Sequence, residues 1–257
     1  MFRNSKSFLN LECGISLQKY IQTHYLRTFQ VFKHLNLACL NESLTNIDYK
    51  QSPDEVLKSF YENVKSLLTQ TSLVDKPRTE TLMDLLDIER SKIKFRTSES
   101  SQLLKIEMME KKFNRDRDIL MPLSLENHMN LTFKINPFVK TAVSGWEWVL
   151  KEREYETYDF KSNFNKAKGS HYFLFQQIWF CDKLSCSNVF EYPLNKYQYF
   201  FMDFLGQNPD MSLAFDVFCE SFEITSVEDK ELILHNLKII LKDMIFRKFI
   251  VLDNQVH

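Results

Sequence analysis

The sequence predicts an α+β chain, with a helical domain over residues 1–120 and a mixed domain of short strands and helices over 121–257. Three observations lead there. Before residue 120 the apolar residues recur at helical spacing. Beyond it, period-two alternation and a long aromatic run bring in strands. The 257 residues also hold only 4 glycines against 23 phenylalanines. Average usage would give about 18 glycines. Phosphate-cradling loops need several, so that backbone can approach a phosphate without a Cβ in the way. Gly14, Gly145, Gly169 and Gly206 stand alone, and neither G-x-G-x-x-G nor a Walker loop can be written.

Ile15, Tyr20, Ile21, Tyr25, Phe29, Phe32 and Leu35 keep helical spacing across 15–40. Ser52-Pro53-Asp54-Glu55 supplies an N-cap, a proline at the first helical position and a glutamate that completes a capping box. Val56, Leu57, Phe60, Tyr61, Val64, Leu67 and Leu68 then form one face. After Pro77 a further helix spans 79–95, where Leu82, Leu85, Leu86, Glu89 and Ile93 share a face. A carboxylate there needs a partner, such as Arg90 or a donor from another helix. Residues 101–118 are helical and dense in charge.

Leu131, Phe133 and Ile135 alternate with Thr132 and Lys134 in a half-buried strand that Pro137 ends. Trp146 and Trp148 alternate in a second short strand, and the charged segment 151–168 reads as a loop or hairpin excursion. Residues 172–180 give the strongest strand, with aromatic or aliphatic residues on both faces, so each face needs cover. Three helices follow. The first, 194–205, turns Leu194, Tyr197, Phe201, Phe204 and Leu205 inward and stops at Gly206. The second is capped by Asn208 with Pro209 at its first position. The third is capped by Ser226, and its inner face is Ile233, Leu234, Leu237, Ile240, Leu241 and Met244. Residues 249–252 close the chain as a strand. Strands, three helices and a strand make a winged-helix-like order.

Charge and chemistry narrow the function. Lys plus Arg total 33 and Asp plus Glu 34, so no net positive field draws the chain onto nucleic acid or anionic lipid. The predicted third helix shows Glu228, Asp229, Lys230, Glu231, Lys238, Lys242 and Asp243 outward, a near-neutral set where phosphate contact needs cations. A DNA-binding regulator is therefore the second reading. The five cysteines (Cys13, Cys39, Cys181, Cys186, Cys219) follow no C-x-x-C pattern, no secretory leader precedes them, and no apolar run is long enough to span a bilayer. A cytoplasmic protein with reduced thiols is expected. Cys181-x4-Cys186 has no second ligand pair, and His24 and His34 lie nearly three turns apart, so no metal site is assigned. No nucleophile signature occurs either, and no catalytic residue is assigned. The two-faced strand leaves two readings. At a sheet edge it would form a groove with the third helix and accept an added peptide strand; in the sheet's centre both faces are core.

A resemblance bears on that choice. His171-Tyr172-Phe173-Leu174-Phe175, Pro193-Leu194-Asn195-Lys196-Tyr197, the helix end Phe204-Leu205-Gly206, and Met211-Ser212-Leu213-Ala214-Phe215-Asp216 form a pattern. It resembles the partner proteins of multinuclear non-haem iron oxygenases in ribosomal peptide natural-product pathways, of which methanobactin biosynthesis is the best-known setting. Leu85-Leu86-Asp87-Ile88-Glu89-Arg90 and Asn136-Pro137 extend the likeness over residues 55–220. The charged stretch 151–168 departs from it. The resemblance implies a non-catalytic subunit that forms a hetero-oligomer with the oxygenase, which carries the iron. It also implies a peptide-recognition element that binds the precursor's leader between its third strand and third helix. In this chain those positions are Tyr172, Leu174, Gln176 and Ile178 on the strand, with Leu234, Leu237, Lys238 and Leu241 on the helix.

Overall fold

The computed structural model describes residues 17–35, 44, 47, 51–70, 76–97, 103–149, 159–179 and 187–253. It is an α+β fold with an N-terminal helical region and small antiparallel sheets accompanied by helices. The chain forms two compact units, Met1–Ser98 with Val143–His171, and Glu99–Ala142 with Tyr172–His257. The chain passes between the units three times, after Ser98, Ala142 and His171.

The first unit holds α1 (Leu17–His24), α2 (Leu26–His34), α3 (Pro53–Gln70) and α4 (Lys76–Thr97), with a 3-10 turn at Phe160–Asn165. The capping box forms at the start of α3. Glu55 Oε2 accepts from both Ser52 N and Ser52 Oγ at 2.8 Å, and Glu55 N donates back to Ser52 Oγ at 3.4 Å. Val56, Leu57, Phe60 and Val64 of α3 and Leu82, Leu85, Leu86 and Ile93 of α4 are buried with Ile21, Tyr25 and Phe32. The spacing read from sequence thus gives the packed faces. The Trp146–Trp148 strand does not form. Residues 145–149 lie outside any strand, and both indoles are buried with Val149. A carboxylate from α4 captures this segment, as described below.

The second unit holds α5 (Leu103–Leu120), α6 (Leu125–Met129), β1 (Phe133–Ile135), β2 (Val139–Ser144) up to Ala142, β3 (His171–Trp179) from Tyr172, β4 (Ser187–Leu194), α7 (Lys196–Gln207), α8 (Met211–Ser221), α9 (Val227–Phe246) and β5 (Ile250–Leu252). β1 pairs antiparallel with β5, Phe133 opposite Leu252 and Ile135 opposite Ile250. The other sheet has the order β2-β3-β4, and β3 runs antiparallel to β4 from Tyr172–Leu194 to Trp179–Ser187. One core serves both sheets and the helices, including Leu120, Phe133, Leu174, Phe201, Leu205, Met211, Phe215, Leu241 and Met244. The charge-dense α5 belongs here. Phe113 packs with Phe138 and Val251, and Glu110 pairs with Lys248 at 2.6 Å.

Three local expectations change. β4 was not foreseen, because Pro193-Leu194 reads as a helix start; Asn195 in fact caps α7 one residue later. α7 continues through Gly206 to Gln207. α8 is capped by Asp210, whose carboxylate accepts from Leu213 N at 2.8 Å. Asn208 instead closes α7, and Pro209 O accepts from Phe133 N at 2.7 Å. Among the described residues no helix is long and apolar enough to cross a membrane.

Candidate peptide-binding surface

β3 is the central strand of its sheet. β4 pairs with it along one side, and Gln177 N donates to Phe138 O at 2.9 Å at the start of β2 on the other. Both backbone edges are engaged, so a peptide cannot add directly to this strand. The eight expected residues are distributed accordingly. Leu174, Leu237 and Leu241 belong to one buried core, with Leu234 packed against it. Gln176 is buried and its Nε2 donates to Arg247 O at 2.7 Å, at the end of α9. Ile178 is half-buried, and Lys238 is exposed. Strand and helix therefore contribute to a shared core instead of lining a groove. The other face of β3 is covered as well, since Phe173, Phe175 and Gln177 are buried.

Tyr172 has a different setting. It is half-buried at the start of β3, with its ring centroid 4.7 Å from Tyr199 and 5.8 Å from Phe200. Phe200 lies 5.7 Å from Phe222, and Phe222 5.3 Å from Tyr197. The ammonium of Lys196 sits 5.2 Å from the Phe222 ring centre, within cation–π range. A connected row of rings thus runs from β3 across the first turns of α7 to the end of α8. Tyr199, Phe200 and Phe222 are half-buried, and Tyr197 is 53% exposed.

The local sequence explains the row. Successive helical residues turn by about 100°, so Tyr199 falls away from the face that Tyr197, Phe200 and Phe201 share at i, i+3 and i+4. Phe201 takes the core, and Tyr197 in the first turn is 53% exposed. A capping box fixes the start of the helix, with Gln198 N donating to Asn195 Oδ1 at 2.8 Å and Asn195 N to Gln198 Oε1 at 2.9 Å. Burial, then the nearby Asp203 charge, raises the Tyr199 phenol above its ordinary range. The surface offers apolar ring faces, hydroxyl ends and one cation, which suits apolar and aromatic side chains of a peptide. The sequence reading turned Tyr197 inward and passed over Tyr199, Phe200 and Phe222. The signal available was the density of aromatics in Tyr197-Gln198-Tyr199-Phe200-Phe201, which exceeds one helix face.

The acidic cluster of α4, in the first unit, has structural partners. Glu89 is 3% exposed, and its carboxylate accepts from Arg27 N at 2.9 Å, Thr28 N at 3.2 Å and Thr28 Oγ1 at 2.5 Å. Arg27 N and Thr28 N lie in the first turn of α2, whose own cap residue Tyr25 makes no side-chain capping bond. Glu89 thus caps α2 from another helix. Burial pushes its carboxyl upward, while the Arg27 guanidinium, 3.6 Å away, pulls it down. Asp84 accepts from Gly145 N at 3.1 Å, Trp146 N at 3.3 Å and Trp148 Nε1 at 2.9 Å. Arg27 joins the two carboxylates by donating to Trp148 O at 2.8 Å. Asp87 accepts from Tyr61 Oη at 2.6 Å. Among the described residues no group of three or more His, Cys, Asp or Glu could hold a metal, and Cys181 and Cys186 lie outside them. No protein-family model matches the chain, and no curated protein is significantly similar to it.

Proposed function

We propose that this chain is a non-catalytic partner subunit. It binds an iron-dependent peptide-modifying oxygenase and recruits the leader of a ribosomally made precursor peptide. In this reading the second unit is a winged-helix-like peptide-recognition element, and the iron is the oxygenase's. The observation that carries it is the connected, partly exposed aromatic row Tyr172, Tyr199, Phe200, Phe222 and Tyr197. Such rings supply large contact area with few rotatable bonds to freeze, which favours holding a short apolar peptide segment. The resemblance over residues 55–220 supplies the identity of the peptide and of the partner enzyme. Because β3 is central, the leader sits on the aromatic row, and Tyr172 is the one expected strand residue that contacts it. Tethering the leader raises the local concentration of the segment to be modified.

The test has two arms. The chain is co-expressed with an oxygenase encoded beside it, and the purified chain is titrated with leader peptide by fluorescence anisotropy. A stable complex is expected, together with binding that Tyr197→Ala and Phe222→Ala each weaken by roughly tenfold, about 1.4 kcal/mol. Failure to form a complex and to bind the leader would sink the proposal. Leader binding that both substitutions leave unchanged would move the site off the aromatic row.

A further inference from the structure

Helix α9 is apolar on two sides. Leu237, Leu241, Met244 and Ile245 are buried, yet Leu232, Ile239 and Phe246 are 61%, 63% and 57% exposed. A helix lying on a core ordinarily keeps its outer face polar. The three exposed residues recur at intervals of seven, so each step drifts by only about 20° and they form one narrow seam. Charge is sorted along it. Glu228, Asp229 and Glu231 lie at the N-terminal end, Lys242 and Arg247 lie beyond Ile239, and Lys238 stands next to Ile239 itself. Lys230 and Asp243 run against the trend; both are half-buried, and Asp243 is bonded to Arg247 Nε at 2.8 Å.

The seam points to a second copy of this chain, packed through α9 in antiparallel fashion about a two-fold axis at Ile239. Leu232 and Phe246 stand equally far from Ile239 in sequence, seven residues on either side. A two-fold there sets Ile239 on its own copy and Leu232 against Phe246 of the other copy. The same operation brings each acidic end to a basic end, whereas parallel pairing would stack like charges. A foreign partner requires neither symmetry. The seam is about 21 Å long, and three side chains with their flanks cover less than the roughly 800 Å² per partner of a standard interface. The dimer is therefore weak, dissociating on dilution and loosening with salt. The seam shares no residue with the aromatic row, so the two proposals are tested by different substitutions.

Sedimentation of the full chain over a wide concentration range tests the dimer, with cysteine cross-linking to fix its geometry. A concentration-dependent dimer is expected, converted to monomer by Ile239→Lys with an unchanged circular dichroism spectrum. Under mild oxidation Ile239→Cys should form a covalent dimer more than the unsubstituted chain does. Leu232→Cys alone should not, since its two copies lie about 20 Å apart. The pair Leu232→Cys with Phe246→Cys should link again. A chain that stays monomeric throughout, a dimer that survives Ile239→Lys, or linkage through Leu232→Cys alone overturns the proposal. A monomer whose Ile239→Lys variant loses an associated protein assigns the seam to that protein and overturns it equally.

Discussion

Glu89 shows how a residue that looks catalytic becomes structural once its neighbours are known. A carboxylate on an apolar helix face invites an acid–base role, but its oxygens are taken by Arg27 N, Thr28 N and Thr28 Oγ1. Glu89→Ala leaves Arg27 N, Thr28 N and Thr28 Oγ1 buried without this acceptor and removes the carboxylate beside the Arg27 guanidinium. We expect a loss of about 3–5 kcal/mol in urea unfolding, with Glu89→Gln costing less because the amide oxygen can still accept. His128 gives the pH dependence. It is buried, its Nε2 donates to Leu120 O at 3.0 Å, and burial lowers its pKa. The folded chain therefore prefers the neutral ring. That contribution is complete above the unfolded value of about 6.5 and is lost as pH falls through the lower folded value. His24, lowered chiefly by burial and also by Arg96, acts in the same direction. Asp84 and Glu89, raised by burial, act oppositely: their contribution is present at low pH and fades as pH rises through their folded values. The urea midpoint should drop between pH 7 and 5.5, and His128→Gln should reduce that drop without abolishing it.

At the scale of elements, the starts of α3 and α9 were legible, whereas those of α7 and α8 lie two residues later than expected and helix ends were not legible. Ser226 Oγ accepts from Asp229 N at 3.0 Å to open α9, and Ser52 opens α3 as its capping box predicts. Ser226→Ala should lower stability by about 1 kcal/mol in thermal or urea unfolding. The ends reveal the cost of scarce glycine. α8 and α9 are each followed by a residue in the left-handed region, Glu223 at φ 56° and Lys248 at φ 58°. Each turn closes by a bond back across the helix end, Ile224 N to Cys219 O at 2.9 Å and Phe249 N to Met244 O at 2.8 Å. A side chain there crowds its own backbone by about 1–2 kcal/mol. Glu223→Gly should therefore stabilise the chain by about 0.5–1 kcal/mol, measured as a rise in the urea midpoint. At Lys248 the same change also removes the ion pair with Glu110, so less gain is expected. The Trp146–Trp148 segment failed as a strand for a comparable reason. Its alternation was real, but Asp84 in α4 offered its N–H groups a better acceptor than a neighbouring strand.

For the whole molecule, the units are interleaved in sequence. The first takes in Val143–His171, which supplies Trp148 and the donors for Asp84, and the second takes in Glu99–Ala142. A fragment 1–98 therefore lacks part of its own core, and so does 1–120. Both should give non-cooperative unfolding curves, where the full chain gives a sigmoidal one. The sequence by itself determined the α+β class, the helices with 3.6-residue apolar spacing, the period-two strand β1, and the caps of α3 and α9. Each of these is a short-range property carried by a few neighbouring side chains. Only the tertiary structure decided that β3 lies between β2 and β4, and that Leu174, Leu237 and Leu241 are core. It likewise decided that Glu89 caps another helix, and that the aromatic surplus forms a partly exposed row. Those facts depend on which distant segments meet. A strand apolar on both faces reads the same whether a sheet, a helix or a peptide will cover it.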